Sequence, residues 1–342
     1  MDVPVIYGLT NDTSCPFRAS PDQMILQTSW ILRMNIIYCT FLSIGCVVGV
    51  GYCTRFMRKH PIFNESTTLL LYLALLFALI HDTAHVGLQW SLMYRSFVYA
   101  DDPCHIFFSS DDCVNSGRTL FFGISGLIYI HSALTLDGLI ATFLPSIYYK
   151  YHSWPGRVLA VLTILVNIFV QFLVLSGKET GDDYLPSCQF FKKQDAEKAN
   201  LWLMSSIILT ISNFLINLGL LYVNKMHSKR TRYDVQFQYQ RSEAIMTSKS
   251  ISVLVIAQIS ALGIYAGGSY LFRLVRESIP VSLYNNVVIW VYATSYATVT
   301  LPLLIIFCIK YVRRHRQRTI HHITNQVESQ EKRMNELKML WE

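Results

Sequence analysis

In the stretch Tyr129–Pro145, YIHSALTLDGLIATFLP, one carboxylate stands in sequence of membrane grade with a glycine directly after it: Asp137-Gly138. An ionisable group inside a bilayer costs a few kcal/mol or more at the centre and less toward the ends, so Asp137 is a functional candidate by default. Pro145 closes the run, which puts Asp137 roughly 10 Å from that end of a helix at 1.5 Å per residue. A basic residue of a neighbouring segment, such as Lys150, Arg232 or Lys249, can pair with it. Alternatively, Asp137 is protonated or water-bonded in a structural role. His81 and His85 form a second group, four residues apart on one helix face, a spacing compatible with a metal. Asp82 lies about 100° round the helix and is not expected to join them. With no third ligand beside them they read as polar lining, and no metal or other cofactor is expected. His131 has the same reading.

A bundle pocket opens between helices and is lined by aromatics with a few polar groups. Phe122, Ser125 and Tyr129 follow helical spacing, and Tyr265, Trp290, Tyr292 and Tyr296 sit at similar depth on later segments. Singly each is an ordinary packing residue; as a cluster they are the ligand-pocket candidates. Gly263, Gly267 and Gly268 allow bending or close packing of their segment, and Leu301-Pro302 suits a kink.

These residues need elements to hold them, and composition names the kind. Of the 342 residues 52% are hydrophobic and 15% charged, against about a quarter charged in soluble domains. The apolar residues are bunched into runs that match a bilayer's thickness. Seven runs qualify: 34–54, 67–93, 117–144, 158–176, 200–224, 251–272 and 287–309. A span must satisfy its backbone internally, so each is expected as a helix. The fold class is an all-α membrane protein, a seven-transmembrane helix bundle.

Lys and Arg set the orientation. Links 55–66, 145–157 and 225–250 and the tail 310–342 hold 19 of the 29, while the opposite face holds 13 of the 22 acids. The first set is expected in the cytosol, with the N-terminal segment 1–33 outside. The basic balance therefore points to anionic lipid or a cytosolic partner and not to nucleic acid. No basic stretch followed by an apolar one opens the chain, so the first span is expected to act as the insertion signal. Asn11-Asp12-Thr13 is a glycosylation sequon on the outer side. Asn64-Glu65-Ser66 is a second one, placed in the cytosol and expected to stay bare.

Cys39, Cys46, Cys53 and Cys308 lie within spans and read as packing residues. Cys15, Cys104, Cys113 and Cys188 fall on the outer face, where two disulfides are expected from three possible pairings. Cys113 sits just above the third span and Cys188 in the loop between the fourth and fifth. That placement favours Cys113–Cys188, with Cys15–Cys104 as a second pair. In the tail, Ile320, Val327, Met334 and Trp341 recur every seven residues, with Ile323 and Leu337 at partner positions. An amphipathic helix lying on the inner leaflet is expected, with pairing to another tail as the alternative.

The function classes narrow accordingly. No phosphate-cradling glycine loop, multi-ligand metal cluster or nucleophile motif supports an enzyme. A transporter or channel subunit, the rival reading, would show several intramembrane charges or two repeated halves. Only Asp82 and Asp137 are present, and there is no repeat. No span contains the mid-span lysine of a retinal pump.

Seven helices with an outer tie from the third resemble a G-protein-coupled receptor. More specific stretches are similar to the nematode serpentine chemoreceptors of class alpha (the Sra family): DDPC at Asp101–Cys104 with Cys113 following, FGISGLIY at Phe122–Tyr129, and Ala141-Thr142 four residues beyond the acid. QRSEAIMTSKSI at Gln240–Ile251 and SQEKRMNELKMLWE at Ser329–Glu342 complete the set. The resemblance implies a chemosensory receptor of ciliated sensory neurons that binds a small molecule and acts through a heterotrimeric G protein, with room for a homo- or hetero-dimer. Rhodopsin-like receptors carry an acid and an arginine near here, with a proline eight residues after the acid, and Asp137 to Pro145 has that spacing. The class-alpha pattern shows Glu-Arg, whereas this chain has Asp137-Gly138. The acid of the switch is kept and the arginine is missing, which also admits a receptor that couples weakly.

Overall fold

The computed structural model describes residues 18–144, 148, 151, 153–175, 184, 185, 187, 188, 196–230, 235–274, 278, 290 and 295–341. A short helix α1 (Pro21–Gln27) opens with a capping box: the Ser20 N–H donates to Gln23 Oε1 at 2.8 Å and the Gln23 N–H to Ser20 Oγ at 3.3 Å. Ser29 then caps the first long helix, accepting from the Leu32 N–H at 3.2 Å. The long helices are α2 (Trp30–Lys59), α3 (Glu65–Val98), α4 (Ser110–Phe143), α5 (Trp154–Val174), α6 (Ala196–Arg230), α7 (Val235–Leu274) and α8 (Ser295–Trp341).

Six helical stretches among the described residues are long and apolar enough to cross a membrane: Pro21–Lys59, Glu65–Val98, Asp112–Phe143, Trp154–Val174, Glu197–Met226 and Ser295–Arg318. The sixth expected span falls on α7, whose described apolar stretch Ser248–Ile264 is shorter. The chain is an all-α bundle of the multi-pass kind. Large apolar side chains such as Phe41, Leu165, Phe172, Leu201 and Phe307 face outward, as lipid-facing helices require.

Three glycines set how closely helices approach. A Cβ on Gly123 would stand 2.7 Å from the backbone of His81, and one on Gly126 2.4 Å from the Phe77 ring. The FGISG stretch thus lays α4 directly on α3, the close approach that small residues permit in membranes. On α2, Gly49 admits the ring of Pro302 from α8, where a Cβ would lie 3.1 Å away.

The helices run beyond the expected spans, furthest in the later part of the chain. The sequence reading ends the fifth span at 224, starts the sixth at 251 and ends the seventh at 309, but α6 reaches Arg230, α7 begins at Val235 and α8 continues to Trp341. Hydropathy drops at the membrane edge while helix propensity does not. From Leu303 to Trp341 no glycine or proline interrupts a run rich in Arg, Lys, Glu, Gln, Leu and Met. The expected amphipathic tail is helical and continuous with the last span.

At the opposite end, β1 (Phe108–Ser109) pairs antiparallel with β2 (Tyr184–Leu185), Phe108 opposite Leu185. A disulfide joins Cys113 at the start of α4 to Cys188, with a Cα–Cα distance of 4.9 Å. Together they tie Tyr184, Leu185 and Cys188, between α5 and α6, to the segment that opens α4, at the mouth of the bundle. Cys104 is also disulfide-bonded; Cys15 and Asn11 lie outside the described residues. Arg95 braces the same mouth, donating to the carbonyl oxygens of His105 (3.0 Å) and Phe107 and pairing with Asp112 at 3.3 Å. Cys39, Cys46, Cys53 and Cys308 are buried free thiols.

Candidate functional site

Asn64 ends the link before α3, and its Oδ1 accepts from the Glu65 N–H at 2.7 Å. The first turn of α3 therefore starts at Glu65 and turns Ser66 and Thr67 inward, both buried. The Ser66 hydroxyl donates to Asp137 Oδ1 at 2.6 Å and the Thr67 hydroxyl to Oδ2 at 2.6 Å. Tyr148, from the segment after α4, places its hydroxyl 3.1 Å from both Asp137 Oδ2 and Thr67 Oγ1. The start of α5 presses on the same turn, because a Cβ on Gly156 would stand 2.6 Å from three atoms of Ser66.

Asp137 is 2% exposed, and its described partners are three neutral hydroxyls. A carboxylate only accepts hydrogen bonds, and these donors meet both of its oxygens. Lys249 is exposed and makes no ion pair with Asp137, while Lys150 and Arg232 lie outside the described residues. At Gly138 an added Cβ would sit 3.5 Å from Leu220 Cδ1 and 3.9 Å from Ser248 Oγ. Helices α6 and α7 therefore stand against this part of α4. A Cβ fits, but a longer side chain must displace Leu220 or Ser248.

A polar seam missed by the sequence reading runs from here along α4 and α6. Asn213 donates to Ser132 Oγ at 2.7 Å and Asn217 to Thr135 Oγ1 at 2.8 Å. Asn224 receives the Thr142 hydroxyl at 3.4 Å. The signal was present: three asparagines at i, i+4 and i+11 share one face of an apolar span.

His81, Asp82 and His85 are all buried in the upper half of α3. Helical angle sets Asp82 apart from the histidines as a ligand, and it touches one of them. Asp82 Oδ1 lies 3.4 Å from His81 Nδ1. The same oxygen accepts the Thr298 hydroxyl at 2.9 Å. His85 Nδ1 lies 3.3 Å from Ser295 Oγ, its Nε2 lies 3.2 Å from Gln89 Nε2, and its ring stacks on that of His81 at 5.8 Å. Among the described residues no group of three His, Cys, Asp or Glu side chains is placed to hold a metal ion. His131 Nδ1 donates to the Leu127 carbonyl at 2.5 Å.

The described pocket candidates meet different neighbours. Phe122 meets Phe77 of α3 edge-on at 5.6 Å. The Ser125 hydroxyl reaches Asn167 Oδ1 of α5 at 2.5 Å. Tyr129 receives the Trp202 indole N–H of α6 at 3.1 Å. Offsets of three and seven residues on α4 thus point to three different helices. Trp290 and Tyr296 gather round Tyr38 of α2, each 5.7 Å from it, and both are about two-fifths exposed. The side chain of Tyr265 and all of Tyr292 lie outside the described residues.

A helical bundle with a disulfide-tied segment at one end and a buried acid toward the other end of its third long apolar helix is the build of a serpentine receptor. A family profile described as "Serpentine type 7TM GPCR chemoreceptor Sra" matches residues 11–341, and the chain belongs to that family. The chain is 36% identical over 333 residues to serpentine receptor class alpha-10 of Caenorhabditis elegans, covering 97% of this chain and 98% of that protein. It is 36% identical over 323 residues to class alpha-10 of Caenorhabditis briggsae, covering 94% and 97%. Class alpha-12 of Caenorhabditis briggsae is 31% identical over 311 residues, covering 90% and 95%.

Proposed function

We propose that the protein is a chemosensory receptor of sensory cilia that binds a small molecule from outside and activates a heterotrimeric G protein. In this reading the disulfide-tied mouth faces outward and the basic end faces the cytosol. The observation that carries it is the match to a chemoreceptor family over nearly the whole chain. The polar interior supports it: Asp137 is caged by groups from α3 and the segment after α4, so relative movement of those elements changes its bonding. Asp137 is the switch acid in this account, and Gly138 marks where a cationic partner has been given up. The test is a ligand screen in reporter cells with surface expression verified. An odorant or metabolite that evokes G-protein signalling only in receptor-bearing cells supports the reading. If a broad panel gives no response and basal activity does not change on expression, the reading fails.

A further inference from the structure

Thr142 of α4, Asn224 of α6 and Ser248 of α7 meet at the basic end of the bundle. The Thr142 hydroxyl donates to Asn224 Oδ1 at 3.4 Å and lies 3.4 Å from Ser248 Oγ. The Asn224 amide donates to Ser248 Oγ at 3.1 Å. Asn224 is 2% exposed and Ser248 6%. One helical turn before Thr142 stands Gly138, and one turn before Asn224 stands Leu220, which is fully buried. The approach of Leu220 and Ser248 to Gly138 and the hydrogen-bonded triad are therefore two records of one closed contact among three helices. Among the described residues no charge takes part in it: Lys225 and Lys249, the adjacent cations, are both exposed.

We propose that this uncharged three-way contact is the latch that holds α7 against α4 and α6 in the resting receptor, and that Gly138 serves it by letting α7 close. The proposal rests on the receptor reading above. Its physics differs from that of a charged lock. Neutral hydrogen bonds of 3.1–3.4 Å are individually weak, so the closed state is held lightly and single substitutions shift the balance. Salt screens charge pairs and leaves amide–hydroxyl contacts untouched, so closure is independent of ionic strength. The latch sits beside Asp137, one residue from Gly138, so disturbance of the hydroxyl cage is passed along α4 to it.

The test uses the full-length receptor in lipid nanodiscs, with spin labels on cysteines introduced at Leu144 of the α4 end and Lys249 of α7, both exposed. Pulsed dipolar spectroscopy then reads the distance between them. The wild type is expected to show a dominant short distance. Ser248→Ala and Asn224→Leu each remove two contacts of the triad and are each expected to raise the long-to-short ratio by roughly fivefold or more, since one neutral hydrogen bond is worth about that factor. Gly138→Ala leaves the distribution unchanged because its Cβ fits, whereas Gly138→Met lengthens it. Changing salt from about 0.05 to about 0.5 M alters nothing. Should Asn224→Leu be lost from the membrane fraction, Thr142→Val removes a hydroxyl in its place. A wild-type distribution in Ser248→Ala and in the second variant overturns the latch, as does a salt-dependent one. Basal G-protein activation is read on the same variants. A longer distance with raised basal signalling supports both proposals; a longer distance without any signalling supports the latch and overturns G-protein coupling.

Discussion

Thr67 joins the Asp137 carboxylate to the Tyr148 hydroxyl, with contacts of 2.6 and 3.1 Å. Thr67→Val keeps its shape and removes its only side-chain donor, leaving Oδ2 with Tyr148 alone. A hydrogen bond to a charged group contributes about 1.5–3 kcal/mol. The variant is therefore expected to melt at a lower temperature in detergent, by roughly that loss, with Thr67→Ser restoring most of it. An unchanged melting curve for Thr67→Val contradicts the cage. At this scale the sequence was half legible. Asp137 stood out because an acid in an apolar run is anomalous. Ser66, Thr67 and Tyr148 did not, since hydroxyls at a helix start and a tyrosine in a link are ordinary, and only folding brings them together. His81 and Asp82 show the opposite limit: helical angle alone put them apart, and side-chain reach brought them within 3.4 Å.

The elements were legible wherever hydropathy and helix length coincide. The first four spans fall on α2 to α5, and Pro61, Pro103 and Pro145 stand in the links that follow α2, α3 and α4. For α6, α7 and α8 the two signals part at the membrane edge, and the helices follow propensity. The FGISG stretch carried only a family likeness in the sequence, and its physical reason is the contact between α3 and α4. Gly123→Leu is expected to force those helices apart and reduce the folded receptor at the cell surface severalfold, since overpacking costs typically 1–3 kcal/mol. Gly219→Leu, at a site with nothing within 4 Å of a new Cβ, is the control and should express as the wild type does. Equal expression of the two variants contradicts the packing account. The same logic explains the scattered pocket candidates. Residues at helical spacing on α4 look like one stripe in sequence, yet a central helix is surrounded, so small angular offsets select different neighbours.

For the whole molecule the first question is which end faces out. The proposed orientation rests on two kinds of physics, charge for the basic links and redox compartment for the disulfide end. The two sequons test it. Asn64 is also committed as the cap of α3, with its Oδ1 on the Glu65 N–H. The glycan on the expressed receptor is expected to disappear in Asn11→Gln and to persist in Asn64→Gln, read as an endoglycosidase-sensitive gel shift. Loss of the glycan in Asn64→Gln instead would invert the molecule. Seven-helix build, membrane class and family were all legible before the structure, because bilayer thickness and segment order leave their mark directly on sequence. The interior wiring was not, since the hydroxyls and amides that cross-link α3, α4, α6 and α8 are common residues made specific only by position.

The most direct test of the central claim measures nucleotide exchange on a purified heterotrimeric G protein by the receptor in lipid vesicles. Ion current and solute flux are recorded across the same vesicles. The account predicts ligand-dependent exchange, altered in its basal rate by Asp137→Asn and by Gly138→Arg, with no accompanying current or flux. Ligand-dependent flux without nucleotide exchange would contradict it and make the protein a transporter or channel built on a receptor fold.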